Sequence, residues 1–181
     1  TVNPDFKLKV VWANTWFDAG KEADAAKVLI DQGVDIITQH TDSTGPMQVA
    51  SERGILAFGQ ASDMIAAGPK TQLTAIVDTW GNYYVKRIKE VVDGTWKTGM
   101  IWDGLNEGIL TMAPYTNMPD DVKAMAMATE AKIKSGELKP FAGPISKQDG
   151  TEWLKAGENA GDDVLAGLNF YVKGVDDKLP Q

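Results

Sequence analysis

Along the first 80 residues, short apolar runs alternate with stretches whose apolar positions recur every three to four residues, the pattern of β-α units feeding a parallel sheet. Residues 7–12 (KLKVVW), 34–38 (VDIIT), 55–59 (ILAFG) and 73–77 (LTAIV) read as four strands. Between the first two, Asp18 is placed to cap a helix whose Ala23, Ala26, Leu29 and Ile30 share a face, and Gly33 stops it. The polar turn 41–46 (TDSTGP) leads into a second helix with Pro46 in its first turn, and Gly54 ends it.

A third helix is predicted from about Gly81 to Asp93, with Tyr84, Val85, Ile88, Val91 and Val92 on one face. The pattern then changes. Gly99, Gly104 and Gly108 interrupt the chain before a strand at 108–113 (GILTMA), and Pro119-Asp120-Asp121 opens a helix reaching about Ser135. The last 45 or so residues are rich in turn signals, Gly143-Pro144, Gly150, Gly157 and Gly161 among them, and finish in a Pro180-Gln181 tail.

Composition narrows the function. A net charge of −7 is wrong for nucleic acid, which demands a clustered basic surface, and the one dense basic stretch, 86–89 (KRIK), reads as a solvated helix face. No stretch approaches the roughly 18 apolar residues of a membrane helix. There is no cysteine, so disulfides and thiolate chemistry are excluded. The chain starts at Thr1 without a leader, which is expected if a signal was removed or an N-terminal region lies upstream.

Parallel sheets of this kind bind ligands beyond the carboxyl ends of their strands. The residues that follow the four predicted strands are Asn14 to Asp18, Gln39 to Ser43, Gln60 with Ser62 and Asp63, and Asp78 with Trp80. This rim holds aromatics, amides and carboxylates and no Lys or Arg, which suits a neutral or weakly basic aromatic ligand better than a phosphate. Each member also has a structural role to weigh. Trp16-Phe17 would cover the top of the sheet, His40 is the sole histidine and fits a structural place, Asp18 serves as a cap, and Asp42 and Asp63 suit turn-stabilising Asx bonds. No P-loop, nucleophile elbow, histidine pair or dinucleotide fingerprint is present, so no catalytic residue and no cofactor is assigned.

The segment 14–21 (NTWFDAGK), with Ala25-Ala26 and 29–37 (LIDQGVDII), resembles the basic membrane protein (BMP) family of ABC-transporter substrate-binding lipoproteins, whose pattern runs roughly G-S-F-x-D-P-x-K…A-A…L-I-x-x-G-A-D-V-I. Residues 59–63 (GQASD) are similar to its G-V-D-S-D element and 73–77 to its L-T-S-x-V strand; 92–96 (VDGTW) and 170–180 (FYVKGVDDKLP) also look like family segments. The resemblance implies a type I periplasmic-binding-protein fold, α/β, with two lobes closing on a purine base or nucleoside. It further implies an exported, non-enzymatic lipoprotein that hands its ligand to ABC permease subunits and touches the membrane only through a lipid anchor upstream of this chain. On that basis residues 1–93 form most of the second lobe, and 94–181 comprise hinge-crossing segments, a helix and a turn-rich tail, the first lobe lying outside the chain.

The rim and the resemblance together give the expected ligand contacts as Trp16, Asp42, Gln60, Asp63, Asp78 and Trp80. Two departures bear on the ligand. The first acid of G-V-D-S-D, which would hold a ribose hydroxyl, is Ala61, and the often basic position after the L-T-S-x-V strand is Asp78. A free base carries an N–H where a nucleoside has its glycosidic bond, and a carboxylate accepts from it, so adenine or another base is expected over a nucleoside. The alternatives are a metal-assisted hydrolase lobe using Asp42 and Asp63, and the effector-binding half of a regulator.

Overall fold

The computed structural model describes Asn3 and residues 5–180; Thr1 and Gln181, the ends of the chain in the sequence reading, lie outside them. Helix α1 (Ala19–Asp31) starts where the pattern placed it. The Asp18 carboxylate accepts the Lys21 N–H, while the Asp18 N–H donates to Glu22 Oε1 at 2.8 Å. The two bonds satisfy backbone donors that a helix start otherwise leaves unpaired. Gly33, at φ +84°, then reverses the chain into β1 (Ile36–Ile37).

Helix α2 (Gly45–Arg53) begins against the start of α1, and a Cβ on Gly45 would lie 2.8 Å from the Ala19 carbonyl oxygen. Only glycine permits that approach. Gly54, left-handed at φ +69°, caps α2 and leads to β2 (Leu56–Gly59), and β3 (Gln72–Asp78) follows. Strands β1, β2 and β3 are parallel neighbours in that order, with Ile36 opposite Leu56 and Gly59 opposite Ala75. β4 (Leu110–Met112) adds an antiparallel edge to β3, Asp78 facing Leu110. The fold is a type I periplasmic-binding-protein-like α/β lobe, its parallel strands flanked by helices.

The core lies between this sheet and α1 and α2. Ile37, Met47, Ala50, Ala57 and Met64 are buried together, with Leu29, Ile30 and Ile55 packed around them. At ~25 cal/mol per Å2 such burial is the main term holding the strands' carboxyl ends in one plane. The remainder comprises α3 (Trp80–Val92), α4 (Asp120–Lys134), a hairpin of β5 (Ile145–Ser146) and β6 (Glu152–Leu154), and α5 (Asp162–Ala166).

Two expectations change. Residues 7–12, read as the first strand, join no sheet: Leu8 makes a single parallel bridge to Val175. Their apolar content is strand-like, yet a strand exists only where a neighbour supplies the ladder. The apolar face of α3 is formed but not covered. Tyr84, Val85, Ile88, Val91 and Val92 are all more than half exposed, Val92 reaching 78%.

Candidate functional site

The parallel strands deliver their carboxyl ends to one edge, and the rim residues are built there by their own hydrogen bonds. After β1, Gln39 turns back so that its side-chain amide donates to the Thr41 and Ser43 carbonyls at 2.7 and 2.8 Å. Ser43 is buried, and both its N–H and its hydroxyl donate to Glu22. Burial alone would discourage the Glu22 charge. The donors from Ser43, Asp18 and Thr41 together outweigh it and hold the carboxyl below the usual carboxylate range. A buried anion therefore anchors the β1 turn to the start of α1.

Trp16, which precedes α1, is tied to that turn. Its carbonyl accepts the Asp42 N–H at 2.9 Å, and its ring meets His40 edge-on at 5.9 Å between centroids. Asn14, with φ +51°, lets the chain turn into this position, a conformation asparagine tolerates. Trp16 is 68% exposed and Phe17 no less so, so neither is buried against the sheet. Trp16, His40 and Thr41 border one end of a cavity of about 580 Å3.

After β2, Gln60 is half-buried, and Ala61 takes a left-handed φ of +60°. The Ala61 carbonyl accepts the Asp78 N–H at 2.9 Å. Asp63 is held differently: one carboxylate oxygen, Oδ1, accepts from the Ile65 N–H and from Gln72 Nε2 at 2.7 Å. Gln72 is buried and completes the link by accepting the Met64 N–H. That oxygen of Asp63 thus stabilises its own turn, as an Asx bond does.

Asp78 and Trp80 come together at a second cavity, of about 340 Å3, which Tyr83, Trp102 and Asp103 also line. The Trp80 ring stacks on Tyr84 at 6.0 Å, 23° from parallel. Trp102 and Asp103 carry no signal in the sequence pattern. They sit in a glycine-broken stretch without periodicity and reach Asp78 only because β4 returns antiparallel along β3.

The rim is thus two groups, Trp16 with Asp42 beyond β1 and Asp78 with Trp80 beyond β3, with Gln60 beyond β2 between them. Adjacent strands are ~4.8 Å apart, so the two groups stand on the order of 10 Å from each other. Trp16 lines the first cavity and Asp78 and Trp80 the second, whereas Asp42, Gln60 and Asp63 line neither of the two.

Comparison with known proteins agrees with this reading of the fold. A family model described as ABC transporter substrate-binding protein PnrA-like (Bmp) matches residues 1–141. The chain is 71% identical, over all 181 residues, to a purine-binding protein of Brucella abortus, of which it covers 52%. It is 29% identical to a putative ABC transporter glucose-binding protein of Haloferax volcanii, covering 44% of it. The chain spans about half the length of these curated relatives. Among solved structures, an ABC transporter solute-binding protein from Aeropyrum pernix superposes with a TM-score of 0.57 at 20% identity, over 74% of this chain and 47% of that one. On its sequence and its fold, the chain belongs to the PnrA-like (Bmp) family of ABC transporter substrate-binding proteins.

Proposed function

We propose that this chain forms most of one lobe of an extracytoplasmic, lipid-anchored receptor that binds a free purine base, adenine before adenosine, and passes it unchanged to an ABC permease. The observation that carries the reading is the exposed Trp16, held at the carboxyl edge of the sheet by the bond from the Asp42 N–H to its carbonyl. An exposed tryptophan costs solubility unless something stacks on it, and base-on-aromatic stacking is worth ~1–3 kcal/mol.

The remaining rim residues read as polar recognition. Gln60 offers an amide that pairs with adenine's amino group and ring nitrogen. Asp78 accepts the ring N–H that a free base has and a nucleoside lacks, while Ala61 offers no side-chain acceptor to a ribose hydroxyl. Trp80 walls the Asp78 end. Asp42 and the second oxygen of Asp63 are the further acceptors at the mouth. The 71% identity to a protein named for purine binding supports the ligand class; the sugar-binding relative is far more distant.

The test is calorimetry with adenine, adenosine, guanosine and hypoxanthine on the two-lobe receptor, with chromatographic recovery of the ligand afterwards. Adenine bound most tightly and recovered unchanged is the expected result. Equal affinity for adenosine, or any turnover, overturns it.

A further inference from the structure

Residues 139–180 form a module of their own at the end of the chain. β5 and β6 pair antiparallel, with Ile145 opposite Leu154. The Trp153 ring meets Phe141 and Phe170 edge-on, at 6.2 and 5.0 Å between centroids. The last stretch folds back along the hairpin: the Gln148 N–H donates to the Tyr171 carbonyl at 2.8 Å, and the Lys173 N–H to the Ser146 carbonyl at 3.0 Å. The Gln148 side-chain amide donates to the Val175 and Asp177 carbonyls at 2.6 and 2.8 Å. Nearly all of this module lies beyond residue 141, where the match to the family model ends.

Among the described residues, every hydrogen bond from this module to the rest of the chain lands on residues 8–12. The Leu8 N–H donates to the Gly174 carbonyl at 2.9 Å, and the Asp176 N–H to the Leu8 carbonyl at 2.8 Å. The Val10 N–H donates to the Asp177 carboxylate at 2.7 Å, and the Trp12 indole N–H to the Tyr171 hydroxyl at 2.8 Å. The first two bonds need only backbone. The other two need the side chains of Asp177 and Tyr171, and a bond to a charged acceptor is roughly twice as strong as a neutral one.

Residues 8–12 run directly towards Trp16. Three residues separate Trp12 from it, so the two Cα atoms stand at most ~14 Å apart. At the far end the Trp16 carbonyl accepts the Asp42 N–H, while the largely exposed ring meets His40 edge-on. One tie leaves a segment free to swivel about it. A second tie at the other end fixes its direction.

We infer that Asp177, aided by Tyr171, is a positioning residue for Trp16: the C-terminal module braces residues 10–12 and so sets where the ring stands. The bracing itself does not depend on the ligand. Its effect on affinity rests on the proposed function, in which Trp16 stacks on the base, and a stacked pair holds only in particular relative placements of its rings.

Hydrogen exchange on the ligand-free chain tests the bracing through the Asp42 amide, whose acceptor is the Trp16 carbonyl. Asp177→Ala is expected to speed its exchange about fivefold and leave the β3 amides unchanged. Asp177→Asn keeps an oxygen for the Val10 N–H and should restore most of the protection. In the two-lobe receptor, calorimetry with adenine is expected to show Asp177→Ala weaker by roughly three- to tenfold, the loss of about one hydrogen bond. Tyr171→Phe should move both readouts the same way by a smaller factor. In a Trp16→Ala background, Asp177→Ala should cost nothing further, the mark of a residue that acts through the ring. Unchanged Asp42 exchange overturns the inference, as does equal acceleration of the β3 amides, which would mean that the module only stabilises the fold. A full additional loss of affinity in the Trp16→Ala background overturns it too. Should Trp16→Ala itself bind adenine as the parent does, the proposed function fails, while faster Asp42 exchange in Asp177→Ala still supports the bracing.

Discussion

The Ala61 carbonyl accepts the Asp78 N–H at 2.9 Å, joining the turn after β2 to the last residue of β3. The two positions that depart from the family pattern are thus fixed to one another. One hydrogen bond couples them, so a shift in one backbone position is transmitted to the other.

Under the proposed function, that pair predicts a free-base preference. Adenine is expected to outbind adenosine at least tenfold, about 1.4 kcal/mol. Asp78→Asn, which keeps the shape and removes the charged acceptor, should narrow the gap. Ala61→Asp should raise adenosine affinity, and aspartate tolerates the left-handed backbone at this site. Competition binding with the two ligands measures both, and an unchanged ratio in both variants removes these residues from the account.

Trp16→Ala is expected to weaken purine binding roughly 5- to 150-fold, the equivalent of losing ~1–3 kcal/mol of stacking. The ring is 68% exposed, so the melting temperature should hardly move. Loss of stability in place of affinity would return Trp16 to a structural role.

What was legible in the sequence divides along the same physical line as what was not. α1 and α4 were readable because their starts are local: Asp18 binds back to its own first turn, and Asp120 and Asp121 favour a helix N-terminus. β2 and β3 were readable as apolar runs between turn residues. Residues 7–12 carry the same pattern, but pairing is a property of two segments, and among the described residues they make only the Leu8–Val175 bridge. At the rim, the position of Asp78 was readable because it ends a strand, whereas the engagement of Asp63 by Gln72 depends on a buried amide nine residues away. Trp102 was invisible because only the β3–β4 pairing carries it to Asp78.

The isolated 181-residue chain is expected to bind adenine more weakly than ~1 μM, or about −8 kcal/mol. One wall of the cleft is missing if two lobes share the ligand. The uncovered face of α3 should also promote self-association, which Ile88→Glu is expected to reduce in sedimentation experiments. Tight binding by this chain alone would show that one lobe suffices.

Glu22 predicts an acid-sensitive anchor. Its folded carboxyl ionises more readily than the unfolded one, so its contribution is complete above the ordinary pKa of ~4.3 and is lost as the pH falls through the lowered value. Urea midpoints should therefore drop from about pH 5 downward in the parent and more gently in Glu22→Gln. At neutral pH, Glu22→Ala leaves the buried donors of Ser43 unpaired, at ~1–3 kcal/mol each, and the part-buried Asp18 N–H without its partner. Parallel pH curves for parent and Glu22→Gln would show that the anchor is not electrostatic.

The bond between the Trp16 carbonyl and the Asp42 amide has a kinetic consequence. It ties the backbone at Trp16 to the β1 turn, so part of that segment's ordering entropy is already lost before anything binds. Under the proposed function, capture is therefore expected at the ordinary docking rate of ~10⁵–10⁷ M⁻¹s⁻¹, with related ligands differing in how long each one stays.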